Sequence, residues 1–346
     1  MSGATAPVAF AAALGEYLHS QGLSDGSLPQ VNAFSGGQSN PTYRVTTAQG
    51  SHVLRMQPPG PLLPGAHAVD REHRVMKALQ GSEVPVPQMR AYCSDASILG
   101  TPFFLMEFLD GRVMMDQSLP GMTAQQRGDI YREMNRVIAN LHALDYQALG
   151  LGDFGKTGNY LGRQIARWSR QTLASTLPIP QALQQLMEWL PQHLPAGDET
   201  TLVHGDYRLD NLVFHATEPR VIGVLDWELS TLGHPLADFS YQCMSWHIPS
   251  TLWRGIADQD LAALGIPPES EYLRMYADKT GRDAAEHWDF YMAYNLFRMA
   301  AILHGVAQRA ADGNANADDA FETGAKAAPL AELGWNMAQR YAAQRK

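Results

Sequence analysis

The sequence predicts an α+β protein with two lobes, a smaller lobe built on an antiparallel sheet and a larger one that is mostly helical. Two observations indicate this fold class. Short β-branched or aromatic runs separated by glycine and asparagine fill the first third of the chain, whereas helical patterns of apolar residues fill most of the remainder. Because the change falls near residues 107–111, we place an N-terminal lobe at residues 1–108 and a C-terminal lobe at residues 109–346.

Composition excludes several classes of protein. The 346 residues are enough for two separate cores, and contents of 45% hydrophobic and 18% charged residues are ordinary for a globular chain. A net charge of −9 without a lysine or arginine cluster argues against a nucleic-acid or anionic-membrane partner. The two distant cysteines, the absence of a membrane-length apolar run and an N-terminus without basic residues indicate a cytoplasmic protein. A homodimer stays open.

The first lobe is predicted to begin with an amphipathic helix, in which Phe10, Leu14 and Leu18 repeat every four residues. Its predicted elements are a helix at residues 7–21, strands at 31–34, 42–47 and 51–56, a helix at 68–80 and a strand at 103–108. The second lobe is predicted to contain helices at residues 123–143, 159–175, 180–193, 235–247, 269–280, 283–311 and 319–343. Two of its short strands, Thr201–Val203 and Leu212–Phe214, are expected to pair as a hairpin around a polar loop.

A glycine-bearing loop separates the first two predicted strands. Because glycine has no Cβ, the main-chain N–H groups of such a loop can approach phosphate oxygens closely. Gly-Gly hairpins are also common structural turns, but a glycine-rich hairpin in the first strand pair is typical of the phosphate cover of a kinase. The candidate nucleotide-binding residues of this loop are Ser35, Gly36, Gly37, Gln38, Ser39 and Asn40.

Three polar residues have the order and spacing of kinase catalytic machinery. Asp206 is followed five residues later by Asn211, and Asp226 ends the next apolar strand. In such a set the first aspartate orients the acceptor hydroxyl and takes its proton, while the other two side chains offer oxygen atoms to Mg²⁺ on the phosphates of ATP. A turn and a strand-end cap would explain each residue singly, but their combination favours a kinase. The predicted hairpin would hold the three groups in one small volume.

A cation and a carboxylate in the first lobe fit the same pattern. Arg55, on the third predicted strand, and Glu72, on the following helix, stand where a kinase holds the cation that binds phosphates and the acid that orients it. Two unrelated surface charges would fit the spacing equally well. Arginine in place of lysine keeps the charge and adds a planar fork.

Three other polar residues are expected to serve the fold. His204 is expected to hydrogen-bond the main chain around the polar loop, and Asp238 to brace that loop. Arg298 stands in an otherwise apolar helix and needs a partner, which would be a structural carboxylate or an anionic substrate.

Residues 150–157, Gly-Leu-Gly-Asp-Phe-Gly-Lys-Thr, match a P-loop, a dinucleotide-binding pattern and the Asp-Phe-Gly triplet of kinases. The first two motifs must follow a buried strand, whereas a helix ends just before this segment. The triplet should follow the catalytic loop, and here it precedes it by about fifty residues. The context therefore favours a glycine-rich loop between helices, with a P-loop NTPase as the competing hypothesis.

The motifs around these residues resemble the aminoglycoside/choline phosphotransferase family over nearly the whole chain. They are most similar to the kinase-like domain that some acyl-CoA dehydrogenases carry at the N-terminus. The resemblance rests on residues 202–212, 223–228 and 233–238, on residues 36–43 and 53–55, and on residues 58–60, 63–64 and 67–72.

The resemblance implies a bilobal protein-kinase-like fold, ATP and Mg²⁺ as cofactors, and transfer of phosphate to the hydroxyl of a small molecule. It implies that Asp206 is catalytic, that Asn211 and Asp226 bind the metal, and that Arg55 binds phosphate while paired with Glu72. It also implies an adenine-facing hinge, formed by Met106, Glu107, Phe108 and Leu109.

The acceptor stays open among several classes. The dehydrogenase-linked branch suggests a hydroxy acid or hydroxyacyl-CoA. An aminoglycoside would need an acidic pocket, whereas residues 229–346 contain fourteen acidic and ten basic residues. A choline-type phosphotransferase, a P-loop NTPase acting through residues 150–157 and a nucleotide-binding pseudokinase stay open as well.

Overall fold

The computed structural model describes residues 2–34, 40–60, 67–283, 285–313 and 320–345, and the chain divides into two compact units. The first unit comprises residues 1–112 together with residues 212–230, and the second comprises residues 113–211 and 231–346. The lobe boundary that the sequence places between residues 108 and 109 stays a prediction. Within the described ranges, no helix is both long and apolar enough to cross a lipid bilayer.

The first unit is built on an antiparallel sheet. Its elements are β1 (Ser2–Thr5), α1 (Val8–Ser20), β2 (Gln30–Phe34), β3 (Thr42–Thr47), β4 (Gly50–Met56), α2 (Val69–Leu79), β5 (Met89–Cys93), α3 (Ala96–Leu99), β6 (Phe103–Glu107) and β7 (Arg112–Val113). Six strands form the sheet in the order β1-β2-β3-β4-β6-β5, so β4 is central and pairs with β3 and β6. The predicted fold class is confirmed, although the sequence patterns missed β1 and β5.

The core of the first unit lies between helix α1 and the sheet. Leu14 and Leu18 of α1 pack with Val45, Leu54 and Leu105 of the sheet, and all five are fully buried. The four-residue repeat of α1 places its apolar side chains on one face, which explains why this helix covers the sheet.

Helix α2 carries a carboxylate in its buried face. Val69, Glu72, Met76 and Leu79 are three or four residues apart, so they project from the same side of the helix. All four are buried, and Glu72 is only 1% exposed. A carboxylate at a core position must be paired or neutral, because an isolated charge is costly to remove from water.

The predicted hairpin between residues 201–203 and 212–214 is wrong. Strand β8 (Thr201–Val203) pairs with β11 (Thr231–Gly233), and β9 (Leu212–Phe214) pairs with β10 (Val221–Val224). Both pairs are antiparallel, and they belong to different sheets. Three-residue apolar runs have a strand signature but no register or turn signal that identifies the partner strand.

The second unit is helical apart from β8 and β11. Its helices are α4 (Ala124–Ala143), α5 (Tyr160–Leu173), α6 (Gln181–Trp189), α7 (Pro235–Cys243), α8 (Leu261–Leu264), α9 (Glu269–Thr280), α10 (Trp288–Ala311), α11 (Ala320–Ala325) and α12 (Ala327–Gln344). A capping box between Thr123 and Gln126 fixes the start of α4. Helix α10 packs against α12, α11, α5 and α7, and so forms the centre of this unit.

The single helix predicted at residues 319–343 is wrong, because α11 and α12 are separate helices. Pro329 lies in the first turn of α12, where its missing N–H costs nothing, but it cannot continue a helix from the residues before it.

Residues 150–157 connect α4 and α5, which confirms the prediction of a loop between helices. Phe154 is buried. Gly155 lies so close to β11 that a Cβ at this position would collide with Thr231 Oγ1 and would lie 2.7 Å from the main-chain nitrogen of Leu232. This glycine is therefore required for packing against a strand.

We expect Gly155→Ala to lower the free energy of unfolding by about 1–3 kcal/mol, because the added methyl group must displace main-chain atoms. Gly152→Ala is the matched control in the same loop, since a Cβ there meets no atom within 4 Å. Chemical denaturation of the two variants measures the difference. Equal stabilities would show that close packing of Gly155 does not constrain this loop.

Candidate active site

In the first unit, Arg55 and Glu72 form a buried ion pair. Arg55 lies on the central strand β4, and its Nε is 2.9 Å from Glu72 Oε2 and 3.1 Å from Oε1. The structure thus brings together the cation and the carboxylate that the sequence predicts as a pair.

A polar chain behind this pair holds the carboxylate. The Nδ2 of Asn40 donates to Glu72 Oε1 over 2.8 Å, and Asn40 Oδ1 is 3.0 Å from Nδ1 of His67. Asn40 is buried. Its side chain therefore orients Glu72, and a contact between Asn40 and phosphate stays a prediction. The other predicted loop residues, Ser35, Gly36, Gly37, Gln38 and Ser39, lie outside the described residues.

The electrostatics of the pair favour a permanent cation. Burial raises the pKa of Glu72 to about 7, against the opposing effect of Arg55. Burial also opposes the charge of Arg55, but Glu72 and Asp226 outweigh it, so the pKa of Arg55 lies above its usual value. Arg55 thus remains charged at any physiological pH.

Asp226 reaches the same arginine from the segment after β10. Its Oδ1 accepts a hydrogen bond from Arg55 Nη2 over 2.8 Å. The backbone of Asp226 is left-handed, with φ 64°, a conformation that aspartate tolerates better than most residues. The next residue, Trp227, is buried and its Nε1 donates to the carbonyl of Val224, which anchors this bend. Glu228, which the sequence did not indicate, lies 3.9 Å from Arg55.

The predicted hinge residues lie at the end of β6 and just beyond it. Met106 is buried, and the carboxylate of Glu107 accepts a hydrogen bond from the main-chain nitrogen of Gln88. The Arg44 guanidinium stacks over the ring of Phe108 at 4.2 Å. Leu109 packs closely against Gly223. A Cβ added at position 223 would collide with the Leu109 side chain. Contacts within the first unit therefore fix this whole segment.

In the second unit, Asp206 is held by three side chains. Its Oδ1 accepts a hydrogen bond from the hydroxyl of Tyr241 over 2.6 Å. Its Oδ2 accepts from Nε of Arg208 over 3.0 Å and from Nδ2 of Asn211 over 3.1 Å. Asn211 also donates to the main-chain carbonyl of Asp206 over 2.9 Å. The structure thus brings Asp206 and Asn211 together, and adds Tyr241 and Arg208, which the sequence patterns did not indicate.

The main chain before Asp206 is braced by a buried carboxylate. Asp238 accepts hydrogen bonds of 2.8 Å from the amides of His204 and Gly205, one on each oxygen. His142 lies 3.1 Å from Asp238 Oδ2. Burial opposes the charge of Asp238, but the hydrogen bond and charge of His142 and the His204 amide outweigh it, so the pKa of Asp238 is lowered. The ring of His204 accepts from the amide of Asp206 over 3.2 Å. The predicted supporting roles of His204 and Asp238 are confirmed.

The partner that the structure gives Arg298 is a main-chain carbonyl and not the predicted carboxylate, while the alternative of an anionic substrate stays a prediction. The guanidinium of this buried residue donates to the main-chain carbonyl of Gly205 over 2.5 Å, and it lies 4.9 Å from the ring centroid of Tyr241. A carbonyl and an aromatic face thus take the place of the structural carboxylate that the sequence suggested.

Three cations in the second unit are linked through Asp210 and Trp253, and one of them, Arg208, also binds Asp206. Arg208 and Arg254 both bind the Oδ2 of Asp210, which is largely buried. The guanidinium of Arg254 and the ammonium of Lys326 lie 5.5 and 5.4 Å from the ring centroid of Trp253. We call Arg208, Arg254 and Lys326 the cationic cluster. Sequence spacing could have indicated only Arg208, two residues from Asp206.

Each unit offers oxygen donors of the kind that hard divalent cations prefer. In the second unit, Nδ2 of Asn211 faces Asp206, so its Oδ1 is the atom directed elsewhere. In the first unit, Asp226 offers a carboxylate. No group of three or more histidine, cysteine, aspartate or glutamate side chains in the described part of the chain is arranged to hold a metal. Mg²⁺ is commonly held by one or two carboxylates together with substrate phosphates, so oxygen donors of this type are compatible with it.

The fold is that of a kinase-like phosphotransferase, an enzyme that transfers phosphate to a hydroxyl group. The chain belongs to the phosphotransferase enzyme family, whose model matches residues 30–277. The family resemblance predicted from the motifs is confirmed.

Three comparisons place the chain further. It is 51% identical to a Ralstonia eutropha protein provisionally assigned as an aminoglycoside phosphotransferase, with a TM-score of 0.86 over 95% of this chain and 98% of that structure. It is 48% identical over 310 residues to mouse acyl-CoA dehydrogenase family member 10, covering 89% of this chain and 29% of that relative. The GDP complex of aminoglycoside 2'-phosphotransferase-IIIa is 16% identical with a TM-score of 0.60, over 88% of this chain and 92% of that one, which shows the fold alone.

We expect Arg55→Ala to weaken ATP binding by roughly 1–3 kcal/mol, the scale of a charge-assisted contact. Lys156→Ala removes the exposed cation of the P-loop-like segment and should change ATP binding little. Isothermal titration of ATP into both variants separates the two hypotheses. Unfolding is measured in parallel, because Glu72 loses its partner in Arg55→Ala. Loss of binding at Lys156 with none at Arg55 would favour the P-loop.

Proposed function

We propose that this chain transfers the γ-phosphate of ATP, in the presence of Mg²⁺, to the hydroxyl of an anionic small molecule such as a hydroxy acid or hydroxyacyl-CoA. The observation that supports this most is the Asp206 carboxylate, which Tyr241, Arg208 and Asn211 fix in place while Asp238 holds the preceding main chain. A group held so firmly suits the orientation of a reacting hydroxyl.

In this proposal Asp206 orients the acceptor hydroxyl, and Asn211 and Asp226 are the magnesium ligands. Arg55, kept charged and oriented by Glu72, binds the phosphates. Residues 35–40 bind the phosphates, and residues 106–109 border the adenine. Bound Mg²⁺ would neutralise negative charge on the phosphates.

The chemistry needs position more than basicity. Phosphoryl transfer through a loose transition state requires the acceptor oxygen in line with the γ-phosphorus, and the acceptor proton leaves late. Asp206 would hold that oxygen by accepting a hydrogen bond from the hydroxyl and would then take the proton.

The cationic cluster favours an anionic acceptor. Arg208 and Arg254 bring two positive charges to the buried carboxylate of Asp210, and Arg208 also binds Asp206. Lys326 lies with Arg254 beside the ring of Trp253. Lys326 lies 4.0 Å from Glu322, but that glutamate is exposed, and such pairs are weak in water. Asp206 and Asp210 offset part of this positive charge. The side chains of Arg254 and Lys326 are still 33% and 26% exposed, so they could bind a carboxylate or phosphate and would repel a polycationic aminoglycoside. The similarity to a relative named as an acyl-CoA dehydrogenase supports an acyl acceptor.

We expect Asp206→Asn to lower kcat by about 10²–10⁴ with little change in ATP affinity, the range for a positioned general base. The substitution keeps the shape but loses the charge and the basic oxygen. Turnover with any accepted hydroxyl compound, or the slow hydrolysis of ATP, measures it against Asp278→Asn, an exposed aspartate of the same unit. Near-wild-type transfer by Asp206→Asn would contradict the proposed mechanism.

For the acceptor, we expect ATP consumption with hydroxy acids or hydroxyacyl-CoA compounds to exceed that with choline or an aminoglycoside. Arg254→Gln should raise the KM of the anionic acceptor about tenfold or more, because a hydrogen bond to a charged group is lost. Lys279→Gln removes the same charge from an exposed position of the same unit and serves as the control. A preference for the aminoglycoside, or equal KM values for both variants, would overturn the anionic assignment.

A further inference from the structure

Tyr241 and Asp238 lie three residues apart on α7, so both side chains project from the same face of that helix. Asp238 binds the amides of His204 and Gly205, and Tyr241 binds the carboxylate of Asp206. A single helix face therefore holds three consecutive residues of the loop, the first two by their main chain and the third by its side chain.

We propose that Tyr241 is a positioning residue that fixes the orientation of the Asp206 carboxylate, so that Asp206 Oδ1 is the atom that binds the acceptor hydroxyl and takes its proton. This inference rests on the proposed function, since it assigns an atom and a partner to the same reaction. Tyr241 acts through Asp206 and has no direct part in the transfer.

The hydrogen-bond capacity of the two carboxylate oxygens leads to this assignment. Each oxygen of a carboxylate has two lone pairs. At Oδ2 both are engaged, by Nε of Arg208 and Nδ2 of Asn211. At Oδ1 only the Tyr241 hydroxyl donates among the described residues, which leaves one lone pair for an acceptor hydroxyl. Without Tyr241 the carboxylate could rotate about its Cβ–Cγ bond, since one of its two anchored ends would be free.

Tyr241 itself is held on the face of its ring. Its ring lies under the guanidinium of Arg298, which also binds the carbonyl of Gly205. Burial raises the pKa of Tyr241 far above its usual value, and the nearby charge of Asp206 raises it further. The phenol therefore keeps its proton and remains a donor to Oδ1.

The reaction step balances without a further reagent. The acceptor oxygen forms a bond to the γ-phosphorus, while the bond from that phosphorus to the β–γ bridging oxygen breaks and its electron pair leaves with ADP. The proton of the acceptor hydroxyl moves to Asp206 Oδ1. Tyr241 remains a donor throughout, and solvent later removes the proton from Asp206.

Removal of the Tyr241 phenol would have two opposite effects on the rate of transfer. A phenol that donates to Oδ1 lowers the basicity of that oxygen, so its removal alone would help proton transfer. In a loose transition state the proton moves late, and misplacement of a reacting group by about 1 Å can cost about 10²-fold in rate. Loss of position should therefore dominate.

The test compares Tyr241→Phe with Tyr131→Phe. Tyr131 is a matched control, because it is also buried in the second unit and donates to a main-chain carbonyl, that of Gln117, over 2.7 Å. We expect kcat to fall about 10–100-fold in Tyr241→Phe only, with the KM for ATP unchanged and a similar loss of thermal stability in both variants. A kcat within twofold of wild type, or a fall shared by Tyr131→Phe, would overturn the proposal.

Two further variants distinguish a failure of the proposed function from a failure of the role assigned to Tyr241. Asp206→Asn tests the proposed function: if it retains transfer, the mechanism itself fails, whereas loss of transfer there with full activity in Tyr241→Phe refutes only the role of Tyr241. If Tyr241→Phe does not fold, Arg298→Lys keeps the charge but loses the planar guanidinium over the Tyr241 ring. It should then lower kcat without changing the KM for ATP, and an unchanged kcat would contradict the proposal.

Discussion

The active-site loop of the second unit depends on the hydrogen bonds that the buried carboxylate of Asp238 accepts. It binds two consecutive main-chain amides of the loop at His204 and Gly205 and lies against His142 of α4, so three segments distant in sequence meet at one charge. Hydrogen bonds to a charged group contribute about 1.5–3 kcal/mol each, and together they offset the cost of burying the carboxylate. The position of Asp206 follows from this brace, because its own side-chain partners can act only once the main chain is fixed.

The first unit also contains a buried carboxylate whose burial is offset by its partners, that of Glu72. The helical period of α2 puts this carboxylate in the core, and Arg55 and Asn40 then satisfy it from a central strand and from the segment before β3. Arg55 is held on one side by Glu72 and on the other by Asp226, so its orientation is determined before any ligand binds. A preorganised cation gives up less conformational entropy when it binds an anion than a free lysine would.

The sequence predicted most helices, the main sheet and the pairing of Arg55 with Glu72, since these follow from periodicity and motif spacing. It could not predict the partners of β8 and β9, because three-residue strands carry no register information. It also missed Tyr241, which lies 35 residues after Asp206 and meets it only through the packing of α7. The partner of Arg298 could not be predicted either. Its burial follows from the apolar helix around it, but its partner is a main-chain carbonyl, and every residue type has one.

The buried contacts around Asp206 and the partly exposed cationic cluster differ in how well they tolerate substitution. The brace at Asp238 and the bonds of Asn211 are buried and satisfy main-chain groups, so any substitution there disturbs the loop itself. The cationic cluster is partly exposed, and Arg254 reaches Asp210 from a segment outside the regular helices, with a left-handed φ of 39°. Charges at such positions can be exchanged without loss of the fold. Under the proposed function, exchange of these charges would change the class of acceptor within one phosphotransferase fold. Similarity at 16% identity therefore informs about the architecture and not about the compound that is phosphorylated.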